Sequence, residues 1–202
     1  MIIGLTGKYC AGKNFIGSIL EKKGLPVLDV DKLGYQVLEN KKAEILSRFG
    51  KDLQNTDLTL NRKALGQRVF GKPEELAALE AIIHPEANRL TEEWIAQKRG
   101  SSETQGAHCV INAALLHKSS VFHQFERIII VTAPYLTRFF RARRRDKLSW
   151  TEIIKRFHSQ KDFSSQYLSI KAEIYKVENP SSSSLQIAAL ERQIDKFIKR
   201  IT

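Results

Sequence analysis

Four short blocks of the chain are apolar almost throughout, a fifth is half apolar, and the stretches between them carry apolar residues at helical spacing. The blocks are residues 1–5, 26–30, 109–113, 127–132 and 173–178. Ile128, Ile129, Ile130 and Val131 make the fourth the clearest strand, and the last block is the weakest. Continuous apolar strands separated by helices predict an α/β protein with a five-stranded parallel sheet between helices, because a parallel sheet is buried on both faces.

The stretch 31–105 is too long for a single crossover helix. Its apolar residues fall in helical sets: Leu33, Val37 and Leu38, then Ala64, Leu65, Val69 and Phe70, then Leu76, Leu79, Ile82 and Ile83. They predict a helical insertion at the carboxyl edge of the sheet, where ligands bind in open α/β folds. The polar, glycine-bounded run 100–106 predicts the surface loop that closes it. Residues 134–146 and 150–160 predict a helix pair after the fourth strand, and Ser181 to Ser184 lead into a last helix. The chain thus reads as one domain over 1–202, with core segments 1–30, 106–133 and 161–202, an insertion at 31–105 and a helix pair at 134–160.

At 202 residues and 42% hydrophobic content, the chain can bury one sizeable core. No apolar segment is long enough to cross a bilayer and the first residues lack a signal-type pattern, so a cytoplasmic protein without a membrane partner is expected. Cys10 and Cys109 are too few for a disulfide framework or a metal site. Cys109 reads as core, and Cys10, near a helix start and two lysines, as a thiol of lowered pKa open to oxidation. The net charge of +11 implies attraction to polyanions, whether nucleic acid, anionic lipid or a small phosphorylated ligand.

The first loop selects among these. A P-loop needs glycine, four residues, then Gly-Lys and a hydroxyl residue, so that backbone N–H groups close around phosphate while the lysine reaches the outer oxygens. In Thr6-Gly7-Lys8-Tyr9-Cys10-Ala11-Gly12-Lys13-Asn14, the residues Gly7, Gly12 and Lys13 meet this and Asn14 does not. A helical pattern follows in Phe15, Ile16, Ile19 and Leu20, aiming a positive helix end at the loop. The alternative is a plain glycine turn in another α/β protein. Asp29 and Asp31 end the second strand, where an acceptor would lie; a carboxylate there can orient a hydroxyl and take its proton, or simply cap the next helix. Arg138, Arg141 and Arg145 recur at helical spacing against Leu136, Phe139 and Phe140, as in a lid that neutralises transferring phosphate or in a solvated helix face.

Together these segments resemble the dephospho-CoA kinase family of P-loop small-molecule kinases, and the resemblance runs nearly end to end. It rests on Gly4-Leu5-Thr6-Gly7 with Gly12-Lys13, on Leu28-Asp29-Val30-Asp31, and on Leu60-Asn61-Arg62-Lys63-Ala64-Leu65 with Val69-Phe70. It continues through Ile83-His84-Pro85, Ala114-Leu115-Leu116, Arg141, Arg145-Asp146, Arg156 with Gln160, and Val177-Glu178-Asn179. The resemblance implies a P-loop kinase fold with a helical acceptor-binding insertion and an Arg-rich lid. It also implies ATP-dependent phosphorylation of the ribose 3'-hydroxyl of dephospho-CoA, the last step of coenzyme A synthesis, with ATP as donor and Mg2+ as metal. Asp31 would take the hydroxyl proton, with Lys13 and Arg141 as its catalytic companions. ATP would lie on Gly7, Lys8, Tyr9, Cys10, Ala11, Gly12, Lys13, Asn14 and Phe15, with Arg145 over it. The acceptor would meet Asp29, Asp31, Arg62, His84 and Leu115, and Asn14 would meet the metal directly or through water. A monomer is compatible with this reading, and nucleic acid is not an expected partner.

Three positions depart from the family pattern. Asn14 replaces the P-loop Ser or Thr, Lys118 replaces the acid of Pro-Leu-Leu-x-Glu, and Asn61 replaces the Asp before Arg62. His84-Pro85 interrupts a helical pattern, which elsewhere means a kink. The rival readings are a nucleoside or nucleotide kinase of the same fold, and a non-catalytic basic P-loop protein that binds nucleotide or nucleic acid. The insertion with Leu60-Asn61-Arg62 and His84-Pro85 favours the family named above.

Overall fold

The computed structural model describes residues 1–100, 108–160, 163, 165–167, 170–180 and 184–201. Of the expected loop at 100–106, all but Gly100 lies outside them, as do 181–183 of the polar run before the last helix. The sheet is the expected one: β1 (Ile2–Gly7), β2 (Val27–Asp29), β3 (Cys109–Asn112), β4 (Arg127–Thr132) and β5 (Glu173–Glu178), in the order β2-β3-β1-β4-β5 and parallel throughout. β1 lies between β3 and β4, with every residue buried, so its loop leaves the sheet where the strand order reverses. β5 is an edge strand and carries Glu173, Lys176 and Glu178, which explains its weak apolar signal and blunts the open edge.

The second strand is shorter than expected. Val30, read as its last residue, instead opens α2 (Val30–Asn40), whose first turn holds Asp31 where a carboxylate suits the helix dipole.

The chain forms two compact units, Met1–Asp29 with Ile95–Thr202, and Val30–Trp94. In the first, α1 (Lys13–Lys22) lays Ile16, Ile19 and Leu20 against Ile3, Leu5 and Val110 of the sheet, and α8 (Ser184–Ile198) adds Leu190, Ile194 and Phe197 to the same core. These residues recur every three or four positions, so each helix buries one stripe. α6 (Tyr135–Asp146) and α7 (Trp150–His158) form the helix pair, and Ser149 starts α7 with a capping box to Glu152.

The second unit holds α2, α3 (Lys42–Phe49), α4 (Arg62–Val69) and most of α5 (Pro73–Gly100), which runs on through Pro85. Its own core gathers Ile45, Phe49, Leu53, Leu60, Leu65, Val69 and Leu79. Among the described residues, no helix is long and apolar enough to cross a membrane.

Candidate active site

The carboxyl ends of β1, β2, β3 and β5 bring the polar residues of the first unit together. β1 runs straight into the loop Lys8 to Gly12, and Gly7 has no room for a side chain, since a Cβ there would meet the Val131 carbonyl oxygen at 2.7 Å. Gly12 has φ 96°, a left-handed conformation that suits glycine, and a Cβ on it would collide with the Asn179 amide. Gly12 also caps α1 with no side-chain cap and no acid in the first turn, leaving the helix end suited to an anion. Two loop donors are already used: the Tyr9 N–H donates to Gln160 Oε1 at 2.6 Å and the Ala11 N–H to the Lys8 carbonyl at 2.9 Å.

Lys13 and Asn14 enter a chain of amides. Lys13 Nζ donates to Asn14 Oδ1 at 3.0 Å and to Asn112 Oδ1 at 3.1 Å, while Asn112 Nδ2 donates to Asn14 Oδ1 at 3.1 Å. Asn14 Nδ2 in turn donates to Asp29 Oδ2 at 3.3 Å. The oxygen of Asn14, expected near a metal, is thus taken by two donors, and its NH2 group faces the carboxylate. Among the described residues no group of three or more His, Cys, Asp or Glu could enclose an ion. Asp29 beside the loop is nevertheless the kind of single carboxylate that suits Mg2+, which keeps water and takes its other ligands from substrate phosphates.

On the far side of the loop, Arg141 and Asn179 hold the Ala11 carbonyl. Asn179 Nδ2 donates to it at 2.8 Å and Arg141 Nη1 at 3.3 Å, and Arg141 also reaches the Asn179 main-chain oxygen at 3.2 Å and Oδ1 at 3.3 Å. Burial lowers the Arg141 pKa from its ordinary value. Arg141, Arg144 and Arg145 line a cavity of about 460 Å3 with Cys10 and Gly12.

The helix pair is tied to the loop through Tyr9. Its hydroxyl donates to Asp146, its ring meets Phe157 edge-on, and Arg145 and Arg156 lie over its face at 5.3 and 5.4 Å. Arg145 forks onto Asp146 through Nε at 2.7 Å and Nη2 at 3.0 Å; this bond holds the Asp146 carboxyl below its ordinary range and raises the arginine. Cys10 overturns one expectation. It is buried against Phe139, Ala142, Ile153 and Phe157, and desolvation raises its pKa more than nearby Arg145 lowers it.

Asp31, Arg62 and His84 belong to the second unit. Arg62 lies 4.5 Å over the Tyr35 ring, and both line a cavity of about 610 Å3 with Phe70, Ile83 and His84. Asn61, in place of the acid of the family pattern, still does a cap's work: its Oδ1 accepts the Ala64 N–H at 3.0 Å at the start of α4. Leu115 is exposed beside buried Leu116, and Lys118 is also exposed.

Sequence reasoning gave Asn112 and Asn179 no role. Each is a buried polar residue ending or following a strand at the carboxyl edge, and that position is the signal that could have found them.

The dephospho-CoA kinase family profile matches residues 1–181. A dephospho-CoA kinase of Treponema denticola is 33% identical over 208 aligned positions, covering 99% of this chain and 90% of that protein. A crystal structure from Thermus thermophilus superposes with a TM-score of 0.80 at 30% identity, covering 100% of this chain and 98% of the other. A dephospho-CoA kinase from Campylobacter jejuni shares the fold at a TM-score of 0.64 and 24% identity, over 100% of this chain and 97% of its own.

Proposed function

The chain belongs to the dephospho-CoA kinase family, transferases that phosphorylate an alcohol group, and from that premise we propose how its own residues phosphorylate the ribose 3'-hydroxyl of dephospho-CoA with ATP. The observation that carries the reading is the meeting of the glycine loop, Lys13, Asp29 and Arg141 at one end of the sheet. The ATP phosphates rest on the loop from Gly7 to Phe15, apart from the Tyr9, Ala11 and Phe15 N–H groups already engaged. Lys13 exchanges two neutral amide oxygens for charged phosphate oxygens, which accept stronger bonds.

Asp31 orients the acceptor hydroxyl and takes its proton. It is two residues beyond Asp29, so the chain itself holds their Cα atoms within about 7 Å. A loose phosphoryl-transfer transition state asks mainly for positioning and positive charge, which Lys13, Arg141 and Arg145 supply. Mg2+ fits Asp29 together with substrate phosphates, and when bound it neutralises charge on the phosphate chain. Arg62 and His84, in the apolar cavity of the second unit, take the part of the acceptor remote from the reacting hydroxyl, and Leu115 offers a further apolar contact. The free thiols of Cys10 and Cys109 support a cytoplasmic location for this activity.

The test is ADP release by the purified protein with ATP and Mg2+, with and without dephospho-CoA. Release that requires dephospho-CoA and vanishes in both Lys13→Ala and Asp31→Ala supports the assignment. Release independent of dephospho-CoA, or undiminished in Asp31→Ala, overturns it.

A further inference from the structure

Arg138 is the anomaly of the helix pair. It faces inward from α6, only 9% of its surface is exposed, and its Nε is fully buried with no hydrogen-bond partner. Its guanidinium lies 4.5 Å over the Phe157 ring and 5.9 Å from the Tyr135 ring, and those two rings meet edge-on at 4.8 Å. Aromatic faces cover the plane of the cation but leave its hydrogen-bonding edges unused. Among the described residues, no carboxylate pairs with it. A buried cation without an anion is costly, so its retention needs a partner that the chain itself does not supply.

The surroundings say what that partner is. Arg138 lines a cavity of about 320 Å3 with Lys8, His158 and Gln160, walled by Tyr135 and Phe157. Among the described residues, no acid lines it. The Gln160 amide is turned by its neighbour: its oxygen accepts the Tyr9 N–H at 2.6 Å, which leaves the NH2 end as a donor. Arg138, Lys8 and Gln160 thus line one small space with two cationic side chains, an amide donor and, among the described residues, no acid.

We propose that this cavity is an anion site that takes a phosphate group, held by the edge of Arg138, by Lys8 and by Gln160. It goes beyond the reading above, which gives Arg138 no role. The stacked guanidinium presents two parallel N–H bonds, the pattern that suits phosphate oxygens, and Lys8 adds a second charge from the loop. The phosphate comes from the ATP chain, from the diphosphate of dephospho-CoA, or from solution as inorganic phosphate; all three share this chemistry.

Inorganic phosphate is the probe, read by thermal melting and calorimetry against chloride at matched ionic strength. The wild type should melt higher with phosphate. Arg138→Leu should melt higher than the wild type without phosphate, because an unpaired buried charge is gone, and should lose most of the phosphate shift. Lys8→Ala should weaken phosphate binding by about tenfold, as loss of one charge-assisted bond does. Lys13→Ala, which disables the glycine loop, should keep the shift, and that separates this proposal from the ATP assignment. Arg138→Leu melting lower than the wild type while retaining the full phosphate shift overturns the proposal. So does a shift that Lys13→Ala abolishes and Arg138→Leu does not. Competition assigns the source: phosphate displaced by ATP identifies the nucleotide chain, displacement by dephospho-CoA the acceptor diphosphate, and displacement by neither a free-anion site.

Discussion

Replacing Asn179 by alanine tests whether the loop is held from outside rather than by its own turn. The amide donates to the Ala11 carbonyl at 2.8 Å and accepts from Arg141 at 3.3 Å, and the residue is 3% exposed. A neutral buried bond contributes about 1 kcal/mol and one to a charged group about 1.5–3 kcal/mol, so the change should cost roughly 2–3 kcal/mol once water enters the gap. In a chain of this length that lowers the melting temperature by about 4–12 °C. Arg141 keeps its bonds to the Ala11 and Asn179 main-chain oxygens, so the loop loosens without collapsing. ATP should therefore bind about tenfold more weakly, equivalent to about 1.4 kcal/mol. Asn179→Asp is the sharper control, because it keeps an oxygen for Arg141 but sets a carboxylate against the Ala11 carbonyl. Thermal melts with and without ATP, followed by calorimetric titration of ATP, read both effects. An Asn179→Ala protein that melts with the wild type and binds ATP equally well refutes the reasoning.

Asp146 and the two shielded histidines contribute to the acid side of stability. The Arg145 bond holds the Asp146 carboxyl below its unfolded value near about 3.9, so its contribution is present above that pH and is lost as pH falls through the lower folded value. Burial lowers the His108 and His117 pKa values, so below about 6.5 the unfolded chain takes up protons first and stability declines. Melting temperature should fall gently from about pH 6.5 and steeply below about pH 4, and Asp146→Asn should lessen only the second fall, which Asp52, Asp57, Glu86 and Glu152, also held low, share, as a pH series of melts will read. Asn112→Ala removes an acceptor of Lys13 and a donor to Asn14; it should weaken ATP binding about tenfold with or without Mg2+, measured by calorimetry in magnesium and in chelator. The buried Cys10 thiol, with its raised pKa, should react with a thiol reagent at neutral pH far more slowly in the native protein than in the unfolded chain.

The sheet and its helices were legible because its three inner strands, β3, β1 and β4, are buried on both faces. β4 falls on the expected residues, whereas β2 stops a residue early because Val30 serves a helix rather than a strand. The loop was legible too, through Gly7, Gly12 and Lys13, since only glycine fits those two positions and the lysine has a fixed offset. What sequence could not give is which polar groups answer one another across distant segments. Cys10 looked activated by nearby lysines, but the side chains that desolvate it come from residues 139–157. Arg138 looked like one more lid arginine until its burial against Phe157 separated it from Arg141 and Arg145. Asn112 pairs with Asn14 at a separation of 98 residues, a relation no local pattern encodes.

The central claim is tested most directly by identifying the product formed from dephospho-CoA, ATP and Mg2+. Mass spectrometry with phosphorus NMR should find coenzyme A, phosphorylated at the ribose 3' position, and none with Lys13→Ala or Asp31→Ala. A wild-type protein that binds ATP yet leaves dephospho-CoA unchanged, or phosphorylates it elsewhere, contradicts the account.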